Sequence, residues 1–276
     1  MTILKARERF YHINIGDTPI GRYVLLPGDP ARVEIIASLL DDGKEVARNR
    51  EFTTYVGRLE DEIVTVCSTG IGSPSAAIAI EELAQAGATT FLRVGTCGPI
   101  QPHVKMGDMV IATASVRLEG TSRQYVMIEY PASAAPIMVS ALAYAADNAK
   151  VSWHAGISAS TDAFYVGQSK PGNNAYLPSS AKNLLSNLQQ ARVLCFEMES
   201  SAIFSIANLY GLRAGATFVA VPAVIGDRHR LERERRLAHV GIEAIRTMIH
   251  WDSERAKKGL PPSLIAIPGG MNRPKP

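Results

Sequence analysis

The stretch Thr90-Phe91-Leu92-Arg93-Val94-Gly95-Thr96-Cys97-Gly98 joins a strand-forming run to residues that grip anions. Its apolar and β-branched positions are those of a buried strand. Arg93 interrupts that run, and Gly-Thr-Cys-Gly after it is expected to form a turn. An arginine in a strand is commonly an edge residue, because unpaired charges are rarely buried. With glycine and threonine within three residues it suggests more. Glycine lets the backbone approach a ligand, the hydroxyl and N–H groups donate, and a guanidinium holds an oxyanion with two parallel bonds. Such a site belongs at the carboxyl end of a strand, where open α/β sheets bind ligands.

Two further glycine segments precede helices, and the first could bind an anion. Pro27-Gly28-Asp29-Pro30 separates an expected strand at 22–26 from an expected helix at 31–40, with Asp29 as cap and Pro30 in the first position. Strand, glycine turn and helix start make a phosphate cradle. Arg32 opposes the helix dipole there, and a bound anion would offset it; a solvated surface arginine is the alternative. Ser68-Thr69-Gly70-Ile71-Gly72-Ser73-Pro74-Ser75 feeds a second helix, capped by Ser73, started by Pro74 and stopped by Gly87. Glu81 and Glu82 are expected on its exposed side, although one could pair with a site arginine. Cys195-Phe196-Glu197-Met198-Glu199-Ser200 leads into a helix at 201–210, where acidic residues favour the dipole whatever else they do.

The elements that must position these residues alternate along the chain. A basic, polar segment at 48–54 leads into a strand pair at 55–59 and 62–67. Further strands are expected at 109–114, 151–158 and 216–223, and helices at 136–148 and around Leu237, Val240, Ala244, Ile245 and Met248. Residues 161–168 are aromatic and polar, 170–180 read as a loop, and 226–230 form a charged loop. The alternation predicts an α/β fold with a mixed, largely parallel central sheet flanked by helices on both faces. One domain is expected over 1–256, with a Pro/Gly-rich tail over 257–276.

Composition narrows the function classes. The 276 residues are 46% hydrophobic, enough for a full core. A net charge of +3 gives no ground for a nucleic-acid or membrane-surface role. The three cysteines, Cys67, Cys97 and Cys195, are odd in number and widely spaced. That suits a reducing cytoplasm and argues against a disulfide framework or zinc site. The charged first ten residues are not expected to be a secretion signal, and no apolar run reaches the ~18 residues of a membrane span.

Taken in order, Pro27-Gly28-Asp29-Pro30-x-Arg32-Val33, Arg50-Glu51-Phe52, Ser68-Thr69-Gly70-Ile71-Gly72-x-Pro74-Ser75, Glu81-Glu82-Leu83, Arg93-x-Gly95-Thr96-x-Gly98 and Glu197-Met198-Glu199-Ser200 closely resemble the nucleoside phosphorylase-I family. The likeness runs from about His12 to about Arg228, and Phe164-Tyr165-x-Gly167-Gln168 looks like the uridine phosphorylase branch. The resemblance implies a nucleoside phosphorylase-like fold and a pentosyltransferase of nucleoside salvage, reversibly converting uridine and phosphate to uracil and ribose 1-phosphate. It implies phosphate as co-substrate and no organic cofactor. By the same resemblance Gly28, Arg32, Arg93 and Thr96 would hold phosphate, with Arg50 supplied by a neighbouring subunit. His12, also from the neighbour, would contact the ribose 5′-hydroxyl. Glu199 would accept from the ribose hydroxyls, with Met198 packed on the sugar and Glu197 beside it. Phe164 would stack on the base, Gln168 would pair with its edge, and Cys97, Gly98, Lys170 and Arg228 would complete the base site. Oligomers built from dimers are implied, either a dimer or a hexamer as a trimer of dimers. A monovalent cation at a dimer interface would match Glu51, Ile71 and Ser75.

Two positions depart from the uridine pattern. Gln168-Ser169-Lys170 stands where that branch has Gln-x-Arg, and lysine lacks the planar fork of arginine. Asp227, beside Arg228, stands where the purine enzymes of the family carry the aspartate that protonates the purine N7. An ion pair with Arg228 or Arg230 would instead keep Asp227 ionised. A purine or broad-specificity phosphorylase therefore stays open, as do a nucleosidase and a non-catalytic nucleoside-binding protein.

Overall fold

The computed structural model describes residues 10–222 and 227–263. The last residue of the strand expected at 216–223, Gly226 of the charged loop, the first nine residues and the tail beyond 263 lie outside the described residues. In chain order the elements are β1 (Tyr23–Leu26), α1 (Ala31–Ala37), β2 (Asp41–Asn49), β3 (Phe52–Leu59), β4 (Glu62–Cys67), α2 (Ser73–Gln85), β5 (Thr90–Pro99), β6 (Met109–Leu118) and α3 (Thr121–Tyr125). There follow α4 (Pro136–Asn148), β7 (Trp153–Thr161), α5 (Ser179–Lys182), α6 (Leu184–Gln190), β8 (Cys195–Glu197), α7 (Ser200–Leu209), β9 (Arg213–Ala220) and α8 (Arg230–Ala256).

The nine strands of the described residues form one sheet in the order β2-β3-β4-β1-β5-β8-β7-β6-β9, and β9 also pairs with β5. The last five therefore close on themselves as a ring, with β2, β3, β4 and β1 spreading from it. β1 is parallel to β4 and β5, β5 to β9, and β7 to both β6 and β8; the remaining pairings are antiparallel. The sheet is thus mixed, with five of these nine pairings parallel.

Two cores lie on opposite faces of the sheet. The side chains of β1 alternate between them: Val24 and Leu26 join α2 and α7 on one side, Tyr23 and Leu25 join α1, α4 and α8 on the other. All four are buried, as in a strand covered on both faces. β2 was invisible in the sequence because it is an exposed edge strand that opens Asp41-Asp42-Gly43-Lys44-Glu45, and charge on an edge discourages pairing with other chains. α5 begins in the last two residues of the stretch read as a loop, and α6 falls where no element was expected.

The expected turn at Gly95-Thr96-Cys97-Gly98 is not a turn. β5 continues to Pro99, paired with β9 through Cys97 and with β8 at Gly98 and Pro99. Gly95 eases the packing there, since a Cβ would lie 3.1 Å from the Phe218 ring, a tight contact. The helix caps also shift by one residue. Pro30 occupies the cap position of α1 while the Asp29 carboxylate accepts the Ala31 N–H at 3.0 Å. Gly72, at φ +98°, is the cap of α2, and the Ser73 hydroxyl instead donates to Met198 O at 2.8 Å.

Candidate active site

A cavity of about 860 Å³ opens where the carboxyl ends of β1 and β5 meet the start of α7. One end is cationic. Arg32, on the first turn of α1, donates from Nε to Glu234 at 3.1 Å, and Glu234 also accepts from Arg230 at 3.0 Å. Burial pushes the Arg32 guanidinium pKa down, Glu234 opposes that, and the charge of Arg93 lowers it further. An oxyanion placed between two guanidinium groups on one wall would be held by charge-assisted bonds.

Arg93 is buried in mid-strand. It donates to Glu199 Oε2 at 2.6 Å, to Thr69 Oγ1 at 2.9 Å and to Leu26 O at 3.4 Å. Its buried Nε has no partner among the described residues. Gly28 makes room for it, because a Cβ there would lie 3.0 Å from Arg93 Nη2 and 3.2 Å from Gly70 O. Glu199 Oε1 accepts the Gly72 N–H at 2.7 Å. Burial raises the Glu199 carboxyl pKa, against the opposing pull of Arg93. The pair thus links the three glycine-bearing segments seen in the sequence.

The other end is aromatic and amide-lined. Lys170 donates to Gln168 Oε1 at 2.9 Å and stands 4.1 Å from the centroid of the Phe164 ring, a cation–π contact. Burial lowers the Lys170 pKa. With Oε1 engaged by the lysine, the Gln168 amide N–H groups are left for a ligand. Phe164 remains 43% exposed, so its ring can take a planar partner.

The cavity wall gathers Gly28, Arg32, Arg93, Thr96, Cys97, Gly98, Phe164, Gln168, Lys170, Glu197, Met198 and Glu199, together with Glu51 and Ile71. Glu197 accepts more bonds than Glu199: its two oxygens take bonds from neighbouring serines and from two backbone N–H groups. Glu51 and Ser75 flank Gly70, where a Cβ would meet Glu51 Cγ at 2.8 Å and Ser75 Oγ at 3.5 Å. The Ser75 hydroxyl also reaches Ile71 O at 3.4 Å, so the three residues matched to a cation cluster in space.

His12, Arg50, Asp227 and Arg228 are not on that wall. His12 and Arg50 lie together beside Tyr11: Asn49 donates to His12 O at 2.8 Å, and the Arg50 guanidinium is 5.9 Å from the Tyr11 ring. Glu82 is not exposed as expected. It is buried, accepts the His12 and Ile13 N–H groups at 3.1 and 2.9 Å, and pairs with His12 Nδ1 at 2.7 Å. Asp227 pairs with Arg233, not with Arg228 or Arg230, and accepts the His229 N–H at 3.1 Å. Arg228 is exposed and faces His229. Sequence reasoning missed Glu234 and Thr69. Thr69 sat inside a motif already singled out, whereas nothing local ties Glu234 to Arg32, 202 positions away.

Residues 22–248 match the family described as the phosphorylase superfamily. The chain is 49% identical over 249 residues to a uridine phosphorylase of Thermococcus kodakarensis, covering 90% of each chain. It is 45% identical over 230 residues to a uridine phosphorylase of Escherichia coli, covering 82% of this chain and 89% of that one. A guanosine phosphorylase of Halorubrum lacusprofundi is 40% identical over 205 residues, covering 74% of this chain and 80% of that one. Likeness this high over this much of the sequence makes the chain a member of the phosphorylase superfamily.

Proposed function

We propose that the cavity cleaves uridine by reversible phosphorolysis, giving uracil and ribose 1-phosphate. The observation that carries this is the Arg93–Glu199 pair, which joins a cationic end to an aromatic, amide-lined end within one cavity. Gly28, Arg32, Arg93 and Thr96 would hold phosphate beneath C1′. Glu199 would accept from the ribose hydroxyls while Met198 packs on the sugar. The C1′–N bond breaks as C1′ gains oxocarbenium character, and phosphate oxygen bonds to C1′ as the base leaves with the bond's electrons. Uracil departs carrying negative charge, which the Gln168 amide and the Lys170 ammonium stabilise by donation. Phosphate is the co-substrate and no organic cofactor takes part. Glu51, Ile71 and Ser75 offer hard oxygen donors with a single carboxylate, a set that fits a monovalent cation. Among the described residues no helix is long and apolar enough to cross a membrane. Three free, buried cysteines support a cytoplasmic setting.

The pairing of the Asp227 carboxylate with Arg233, off the cavity wall, argues against a purine preference. The kcat/KM for uridine is expected to exceed those for inosine and guanosine by at least about tenfold. Asp227→Asn should leave uridine cleavage within about twofold, as for a change outside the site. Faster inosine cleavage, lost alone in Asp227→Asn, would establish the purine enzyme instead.

His12 and Arg50 favour a site completed by a second copy of the chain, since neither lines its own cavity. Arg50→Ala and Glu199→Ala proteins, each inactive, should regain partial activity when dissociated and reassembled together, because a mixed dimer then holds one intact site. No recovery in oligomers shown to be mixed would count against shared sites.

A further inference from the structure

The start of α7 carries Glu199, and the way that start is held has a bearing on the sugar. The first N–H groups of a helix have no partner inside it and are commonly met by the capping side chain. Glu199 occupies the cap position but makes no such bond, because its carboxylate is turned to Gly72 and Arg93. Glu197 does the capping instead. Its Oε2 accepts the N–H groups of Glu199 and Ser200, each at 2.8 Å. The third N–H, of Ser201, goes to Ser160 Oγ at 2.8 Å.

Glu197 is itself gripped from below. Its Oε1 accepts from the Ser160 hydroxyl, from Ser115 at 3.3 Å and from Ser158 at 3.5 Å. These three serines, on β6 and β7, are buried and linked to one another at 2.9 Å. A carboxylate has about four acceptor positions, and two N–H and two or more O–H groups fill them. No position is left for a ribose hydroxyl. A second buried carboxylate, Glu119, continues the scaffold by accepting the Ser201 hydroxyl at 2.9 Å and the Ser122 N–H at 2.8 Å.

We infer that Glu197, braced by Ser115, Ser158 and Ser160, is a positioning residue that fixes where the Glu199 carboxylate meets Arg93 and thereby sets the preference for a hydroxyl-bearing sugar. Glu197 does not touch the nucleoside. The inference rests on Glu199 being the group that holds the ribose hydroxyls. A carboxylate free to drift loses a hydroxyl's hydrogen bond before it loses the sugar's stacking or the phosphate's charge, so discrimination should suffer before turnover.

The test uses the full-length protein carrying Ser160→Ala, with kcat and KM measured for uridine, 2′-deoxyuridine and 3′-deoxyuridine at saturating phosphate. The advantage of uridine over at least one analogue is expected to shrink about tenfold, the scale of one hydrogen bond to a charged group, while cleavage of that analogue changes little. Ser115→Ala, which removes a longer contact, should move the same ratio the same way by less, and it decides the matter alone if Ser160→Ala does not fold. Ratios unchanged from wild type, or equal losses on all three nucleosides, overturn the positioning role. Failure of the wild-type protein to cleave uridine with phosphate would sink the functional reading itself, an outcome separable from either of these.

Discussion

Arg93→Ala is expected to lower uridine turnover by about 10²–10³, the scale of losing one preorganised donor where charge develops. Arg93 would serve phosphate and sugar together: its charge lowers the Arg32 pKa, and it holds Glu199 at 2.6 Å. Removing it leaves the Glu199 carboxylate buried without its counter-charge, which costs about 3–5 kcal/mol where nothing compensates. The comparison must therefore use protein shown to be folded, with Arg93→Lys beside it. Lysine keeps the charge but cannot donate from a planar fork to Glu199 and Thr69 at once, so an intermediate rate is expected. Turnover near wild type in a folded Arg93→Ala protein would remove the site from this cavity.

The largest effect on stability is expected far from the chemistry. Asp252 on α8 accepts from Arg213 at 2.9 and 2.6 Å and from the Tyr23 hydroxyl at 2.7 Å. Arg213 also donates to Thr90 Oγ1 at 2.8 Å. Tyr23, Thr90 and Arg213 open β1, β5 and β9, so one carboxylate ties the amino ends of three strands to the last helix. Burial, with the Asp252 charge, pushes the Tyr23 pKa up and keeps its hydroxyl a donor. Asp252→Ala strands the buried arginine and should cost about 3–5 kcal/mol, a large share of the 5–15 kcal/mol typical of a domain. A urea unfolding midpoint shifted by less than a surface substitution would shift it contradicts this clamp. Turnover of the folded variant should stay near wild type, because the clamp lies at the opposite ends of the strands from the cavity.

The contrast between these two sites explains what the sequence could reveal. Gly28, Arg93 and Thr96, which the structure brings to one cavity wall, stood out because residue types suited to anion binding fall within a few positions of one another. Strands such as β1 and helices such as α4 were legible because burial imposes periodicity. Asp252 with Arg213, and Glu234 with Arg32, join residues 39 and 202 positions apart, and no local pattern records such a partner. The Gly-Thr-Cys-Gly segment misled because glycine was read as a turn former, whereas Gly95 serves to let β5 pass the Phe218 ring. Glu82 misled for the opposite reason: its place on α2 looked solvated until the His12 segment folded over it. Glu197 was read as a ligand contact from its neighbour's company, and only the serines of β6 and β7 show where its oxygens go.

Uracil release from uridine, followed in parallel with and without inorganic phosphate, separates phosphorolysis from every other reading of the cavity. Uracil and ribose 1-phosphate are expected in equal amounts, at a rate that saturates with phosphate and vanishes when phosphate is withdrawn. Uracil released with free ribose at an undiminished rate in the absence of phosphate would contradict phosphorolysis.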